Sequence, residues 1–361
     1  MGQGGTVQIG TLGRLIADSA GVRAELDRLT RQAASGRVAS SFGGLGNAAP
    51  AVLHLRPAIA AQQGWQRNID AATGRMAVTQ TVLDRITAIA SDSLSDLAKL
   101  NGINVAAIDT VAAGARAALR EVAGLLNASA GGIYVFAGQD SANPPVPHPD
   151  AILTSGFYAQ INAAVAGLGG AGAAATAAAT LAVASSNASG TSPFSAFLSQ
   201  TSAALQGQGA SVAVGRERRE VIGVLASTNG FVASSGGNSS GSYMRDVMRA
   251  LATLGSLSST QEGVPGFHDL VQDARDTLRG AIDAMAGDAG ALGDTQTQLQ
   301  AMRTGMAAVT TTLTGQIADA EDVDMAATLS RLSLVQGQLQ SSYQMIAGMH
   351  ALSLARFLSG G

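Results

Sequence analysis

Apolar residues return every seven positions over a long stretch of the N-terminal half. Ile69, Met76, Leu83, Ala90 and Leu97 hold one register, and Ala72, Thr79, Ile86, Ser93 and Leu100 repeat it three positions on. Two positions per heptad, sustained for about four heptads, make a long helix whose one face must lie along a partner helix. The same interval recurs later in Leu292, Leu299, Met306 and Leu313, and again in Met325, Leu332, Leu339 and Ile346. Near the start, Val22, Leu26, Leu29 and Ala33 are spaced 4, 3 and 4 apart, a packing stripe that should stop at Gly36. A third N-terminal helix carries Ile108, Ala115, Leu119, Val122 and Leu126.

Between these helical ends the pattern changes. Ser40–Pro50 reads as a loop by its glycines, and Pro57 should start or kink the helix that follows. Ile133–Phe136 reads as a short strand. Residues 141–150 hold four prolines and cannot be helical, so a domain boundary falls there. From there to about residue 240 the chain is rich in Ala, Gly, Ser and Thr, with plausible strands at Ser211–Val214 and Glu220–Leu225. Weak periodicity and few aromatics predict a middle domain that faces solvent and adds little to the helical core. Helix resumes near Tyr243 with Met244, Val247, Leu251 and Leu254. One segment then spans Phe267 to Met285 and another Leu292 to Leu313. The expected fold is mainly α, a long antiparallel helical bundle or coiled coil built from both chain ends, with an inserted α+β or β-containing middle domain. The expected divisions are 1–46, an N-terminal helix and loop; 47–140 and 243–320, the two halves of a helical core; 141–242, the insert; and 321–361, a C-terminal helix.

Composition excludes several function classes. Hydrophobic residues make up 46% but aromatics only 4%, so the apolar content is small and aliphatic, suited to close helix packing. The net charge of −3 points to neither nucleic acid nor an anionic membrane as partner. Cysteine is absent, which removes disulfides, thiolate metal sites and thiol nucleophiles. His54, His148, His268 and His350 stand far apart with no metal-binding spacing. Gly43, Gly44 and Gly46 make half of a phosphate loop at most and read as a connection between helices. Asp319, Glu321, Asp322 and Asp324 lack the glycine and distal glutamate of a calcium loop, and Asp322 or Asp324 suits the cap of the last helix. The start of the chain shows no basic segment followed by an apolar run. The Ala/Gly run at 163–184 is too weakly apolar to favour a membrane span. No catalytic residue and no cofactor are expected.

Several segments resemble one family. Arg31–Val38 (RQAASGRV), Trp65–Ala72 (WQRNIDAA), Tyr134–Val146 (YVFAGQDSANPPV), Ser242–Leu251 (SYMRDVMRAL) and Glu321–Leu358, ending SLARFL, look like successive signatures of the flagellin superfamily, in its hook-associated branch. The likeness covers roughly residues 10–140 and 240–360; the middle shows none, and the usual acidic pair of the 40–50 loop is replaced by Asn47–Pro50. The resemblance implies a secreted structural subunit of the bacterial flagellum that joins hook to filament, exported by the flagellar type III apparatus. Its partners would be other copies of itself, hook-associated protein 1, flagellin and an export chaperone. Alternatives are a filament-forming flagellin, or a coiled-coil adhesin or signalling protein. The packing positions expected to matter are Val22, Leu26, Leu29, Ile69, Met76, Leu83, Ile86, Leu332, Leu339, Ile346, Leu352, Leu354, Phe357 and Leu358.

Overall fold

The computed structural model describes the backbone of residues 4–101, 105–234 and 238–358, and side chains within 13–14, 16–100, 105–234 and 238–348. Long helices dominate: α1 (Gly4–Ser35), α2 (Ala49–Leu97), α3 (Val105–Leu125), α8 (Tyr243–Gly255), α9 (Phe267–Glu321) and α10 (Met325–Leu358). Between α3 and α8 lie β1 (Ser129–Ala130), β2 (Ile133–Tyr134), α4 (Gly156–Ala166), α5 (Leu168–Ala171), α6 (Ala173–Ser185), α7 (Ser202–Leu205), β3 (Ser211–Ala213) and β4 (Arg219–Val221). The strands form two separate antiparallel pairs, β1 with β2 and β3 with β4. The fold is therefore mainly α, with helices from both chain ends and only small sheets in the inserted middle.

The chain divides into two units, residues 1–63 with 307–361, and residues 64–306. In the second unit the heptad positions of α2 are buried: Ile69, Ala72, Met76, Thr79, Leu83, Ile86, Ala90, Ser93 and Leu97. They meet apolar residues of α3 and α9, including Leu119, Leu278, Leu292 and Leu299, in one continuous cluster. Replacing Leu83 or Ile86 by Ala should cost about 2–5 kcal/mol. Asp84 is exposed, and Arg85 makes only an exposed ion pair to Glu121 at 2.6 Å, so their Ala variants should shift stability by about 1 kcal/mol or less. Urea denaturation of the four variants checks the placement: equal tolerance at all four positions would contradict it.

Three expectations change. Of the two roles expected for Pro57, starting a helix is excluded, because it lies inside α2 as the ninth residue. The carbonyl it leaves without a partner is that of Leu53, and both residues are exposed, so water can satisfy that group. The segments 267–285 and 292–313 are one helix, α9. The glycines between them lie mid-helix, and Gly287 makes room for Val232, whose Cγ2 would lie 2.9 Å from an added Cβ.

The third change concerns the middle segment, which does not simply face solvent. Phe157, Ile161 and Val165 of α4, Leu168 of α5, and Phe194 and Leu198 beyond α6 belong to the same apolar cluster as α3, α8 and α9. The organising element is α8. All thirteen of its residues are buried, which requires neighbours on every side. α3, α4 and α6 supply them. On α6 the contact is made by Thr176, Thr180 and Ala184, small residues that give close approach without a leucine stripe to announce it. The Ala/Gly run at 163–184 thus forms the end of α4, α5 and most of α6. Among the described residues no helix is long and apolar enough to cross a membrane.

Candidate functional site

The terminal helices α1 and α10 pair within the first unit. On α1 the inward face is Val22, Glu25 and Leu26, half-buried, then Leu29 and Gln32, buried. On α10 it is Thr328 and Val335, buried, with Leu332, Leu339, Ser342 and Ile346 half-buried. The α10 positions advance by 4, 3, 4, 3 and 4, a heptad seam in which the polar Thr328 and Ser342 take their turn. Arg23 stacks over the Tyr343 ring at 5.9 Å. The Arg28 hydrogen bond, aided by the charges of Arg28 and of Arg331 on α10, holds the Glu25 carboxyl below its ordinary value.

A backbone clasp closes one end of this pair. Gly36, at φ +70, ends α1, and its N–H donates to the Gln32 carbonyl at 2.8 Å, the left-handed stop that glycine allows without strain. The chain then runs antiparallel to the break between α9 and α10. Arg37 bridges Asp322, Val38 N–H donates to Glu321 O at 2.7 Å, and Val323 N–H donates to Gly36 O at 3.0 Å. Gln32 Nε2 donates to Val38 O at 2.8 Å. Arg56 Nη2 reaches Glu321 Oε1 at 2.6 Å. Asp324 caps α10, its Oδ1 accepting from Ala327 N at 3.0 Å. Of the acidic cluster, then, Glu321 pairs with Arg56 and Asp324 caps. Among the described residues no group of three or more His, Cys, Asp or Glu could hold a metal ion.

Several large apolar side chains of this unit are exposed. Leu334 is 69% exposed and Met345 58%. They are eleven residues apart, three turns of helix, and so share a face of α10. Ile16, Leu53, Val309, Met325 and Leu329 are also exposed. Val22, Leu26, Leu29, Leu332, Leu339 and Ile346 thus lie at the α1–α10 seam, whereas Ile69, Met76, Leu83 and Ile86 lie in the core of the second unit. The side chains of Leu352, Leu354, Phe357 and Leu358 fall outside the described residues.

The buried charges of the second unit were not foreseen. Arg249, 1% exposed in its side chain, pairs with Asp273 at 3.1 Å and donates to Asn238 O and to Thr180 and Thr277 hydroxyls. Asp288 on α9 accepts from three successive backbone N–H groups, Gly230, Phe231 and Val232, and from the Tyr243 hydroxyl. The available signal was Arg245 and Arg249, one helical turn apart amid Met244, Val247 and Met248. No local pattern names their partners.

These features define a class of protein: long helices whose chain ends pair and leave large apolar side chains exposed. Within it, residues 276–358, which include most of α9 and all of α10, match the family model of the bacterial flagellin C-terminal helical region. That match supports the flagellin family over the segment it covers. A search of curated proteins finds no match. Among solved structures, the chain is similar to a protein described as a flagellar hook-associated protein from Vibrio parahaemolyticus. The TM-score is 0.50 at 11% identity, covering 76% of this chain and 97% of that one. At that identity the likeness concerns the fold.

Proposed function

We propose that this chain is a non-enzymatic structural subunit of the bacterial flagellum, joining hook to filament by packing α1 and α10 against neighbouring subunits. The observation that carries the reading is the match of residues 276–358 to the flagellin C-terminal helical region, because that segment contains the helix that leaves Leu334 and Met345 exposed. Leu334 and Met345 gain nothing from exposure. Burying such surface between subunits contributes about 25 cal/mol per Å², and exposed apolar patches of this kind mark association sites. The partners are other copies of the chain, hook-associated protein 1 and flagellin, with an export chaperone before assembly. The subunit works outside the cell, after passage through the flagellar export apparatus. A second reading, a filament-forming flagellin, is favoured by the matched family being flagellin itself.

A strain lacking residues 352–361 of this chain tests the proposal. Those residues end the apolar run ALSLARFL. The truncated subunit is expected to be exported and helical, yet unable to hold filament: swimming is lost and flagellin is shed into the medium. Normal swimming with filaments attached would overturn the assembly role. Long self-polymers of the purified full-length chain in electron micrographs would turn the junction reading into the filament one.

A further inference from the structure

We propose that the cleft bounded by the β3–β4 hairpin, the 227–233 loop and the first turn of α8 binds a carboxylated saccharide, with its carboxylate at Arg245. The cleft has a volume of about 610 Å³ and lies wholly within the second unit. That is the size of a small-molecule site. Among the described residues no Asp or Glu lines it, and Arg245 is the one cation that does.

Arg245 is only 6% exposed, and none of its hydrogen-bond acceptors is charged. Nε donates to Ser227 O at 3.0 Å, Nη1 to Ala184 O and Ser186 O at 2.9 and 3.3 Å, and Nη2 to Asn187 Oδ1 at 2.7 Å. The fifth N–H has no acceptor among the described residues. Asp246, next in sequence, is turned away, accepting from Ser239 Oγ at 2.6 Å and Ser240 N at 2.8 Å. The Phe194 ring covers the guanidinium at 5.1 Å, yet a guanidinium buried without a hydrogen-bonded carboxylate is costly. Burial lowers the Arg245 pKa to about 10, with the Asp246 charge opposing. An anionic group in the cleft would relieve that cost. Ser227, whose carbonyl accepts from Arg245, keeps its Oγ buried and without a hydrogen-bond partner among the described residues.

The rest of the wall selects the class of anion. Gln200 and Gln206 line the cleft with side-chain amides that bond to none of the described residues, which suits them to hydroxyl groups. Phe231, 40% exposed, supplies an aromatic face of the kind that packs on the apolar side of a pyranose ring. A nucleic acid would need several cations. A fatty acid would need a continuous apolar channel, and here Leu205, Val221, Leu225 and Val232 are interspersed with amides, hydroxyls and glycines. One cation, free amides and a single ring fit a sugar acid.

Isothermal titration calorimetry on the full chain tests this, with glucuronate and N-acetylneuraminate as probes and glucose and acetate as partial probes. At least one sugar acid should bind with Kd of about 1 mM or tighter, and the partial probes about tenfold more weakly. Phe231→Ala and Gln200→Ala alter exposed side chains. Each should weaken sugar-acid binding about tenfold while leaving the melting curve unchanged. Shifts of the Phe231 ring resonances on titration give a reading that needs no variant. Three outcomes overturn the proposal: no binding of either sugar acid at about 10 mM, acetate binding as tightly as the sugar acids, or binding untouched by both substitutions.

Discussion

A chain in which residues 150–235 are replaced by a short linker is expected to lose the cooperative unfolding transition of the 64–306 unit and much of its helical circular dichroism. The reason lies in α8. Its thirteen residues are all buried, and a large part of what buries them would be gone. Phe157, Ile161, Val165, Leu168, Phe194 and Leu198 would leave the apolar cluster. Each such side chain contributes about 1.5–3 kcal/mol when fully buried. Arg245 would lose every acceptor it has, since Ala184, Ser186, Asn187 and Ser227 all lie in the deleted segment. Arg249 would lose Ala177 O and Thr180 Oγ1. An uncompensated buried charge costs about 3–5 kcal/mol, against a typical domain stability of about 5–15 kcal/mol. The linker also removes the ordering cost of the deleted residues, but it cannot cover the faces of α3 and α8 left behind. A single sharp melt with wild-type helicity in the deletion variant would contradict this account.

This expected result reverses what the sequence alone suggested, and the physical reason is specific. The seams of α2, α9 and α10 were legible because leucine, isoleucine and methionine at seven-residue spacing have one structural meaning. The middle segment packs through Thr176, Thr180 and Ala184, residue types equally at home on a surface. The continuity of α9 was present in the sequence, since Leu278, Met285, Leu292 and Leu299 keep one seven-residue register across Gly287 and Gly290. In the structure Gly287 allows Val232 its close approach. β2, β3 and β4 were visible because their β-branched and aromatic residues sit near turn residues, whereas β1 (Ser129–Ala130) has neither and was not expected. β3 (Ser211–Ala213) and β4 (Arg219–Val221) fall close to the expected Ser211–Val214 and Glu220–Leu225, the second ending earlier.

For the candidate site, the terminal stripes foretold that α1 and α10 need partners, and each finds the other. The clasp at Gly36–Val38 and Glu321–Val323 was not foretold. It is made of backbone hydrogen bonds between residues remote in sequence, and backbone bonding leaves no side-chain signature. The outward face of Leu334 and Met345 was hidden for a different reason. On a helix with apolar residues on more than one side, spacing alone does not say which side meets the first partner and which the second.

Asp288→Asn should be among the most damaging isosteric changes at the described residues, costing about 3–5 kcal/mol. Asp288 is fully buried at 0% exposure. Oδ1 accepts from Phe231 N at 2.9 Å and Val232 N at 2.7 Å; Oδ2 accepts from Gly230 N at 2.7 Å and the Tyr243 hydroxyl at 2.9 Å. Four donors converge on one carboxylate, so both oxygens must accept. An asparagine offers one accepting oxygen, and its NH₂ would face two of those donors. Two buried donors would then lack an acceptor, at about 1–3 kcal/mol each. The carboxylate ties α9 to the 230–232 loop and to the start of α8, so its loss should loosen all three. Tyr243→Phe removes one donor and leaves three bonds intact, so it should cost clearly less, about 1–2 kcal/mol. Urea denaturation of the full chain ranks the two, and a Tyr243→Phe loss equal to or above that of Asp288→Asn would refute the ordering. Alkali adds a second reading. Burial first, then the Asp288 charge and hydrogen bond, hold the Tyr243 hydroxyl pKa well above 10. The folded chain therefore keeps a proton that the unfolded chain gives up. This contribution is fully present below pH about 10 and declines above it, by at most about 1.4 kcal/mol per pH unit. Tyr243→Phe lacks that titration, while Arg245 is common to both proteins and cancels in their difference. The stability gap between wild type and Tyr243→Phe should therefore narrow as pH rises past 10, and a constant gap would show that the hydroxyl does not keep its proton in the fold.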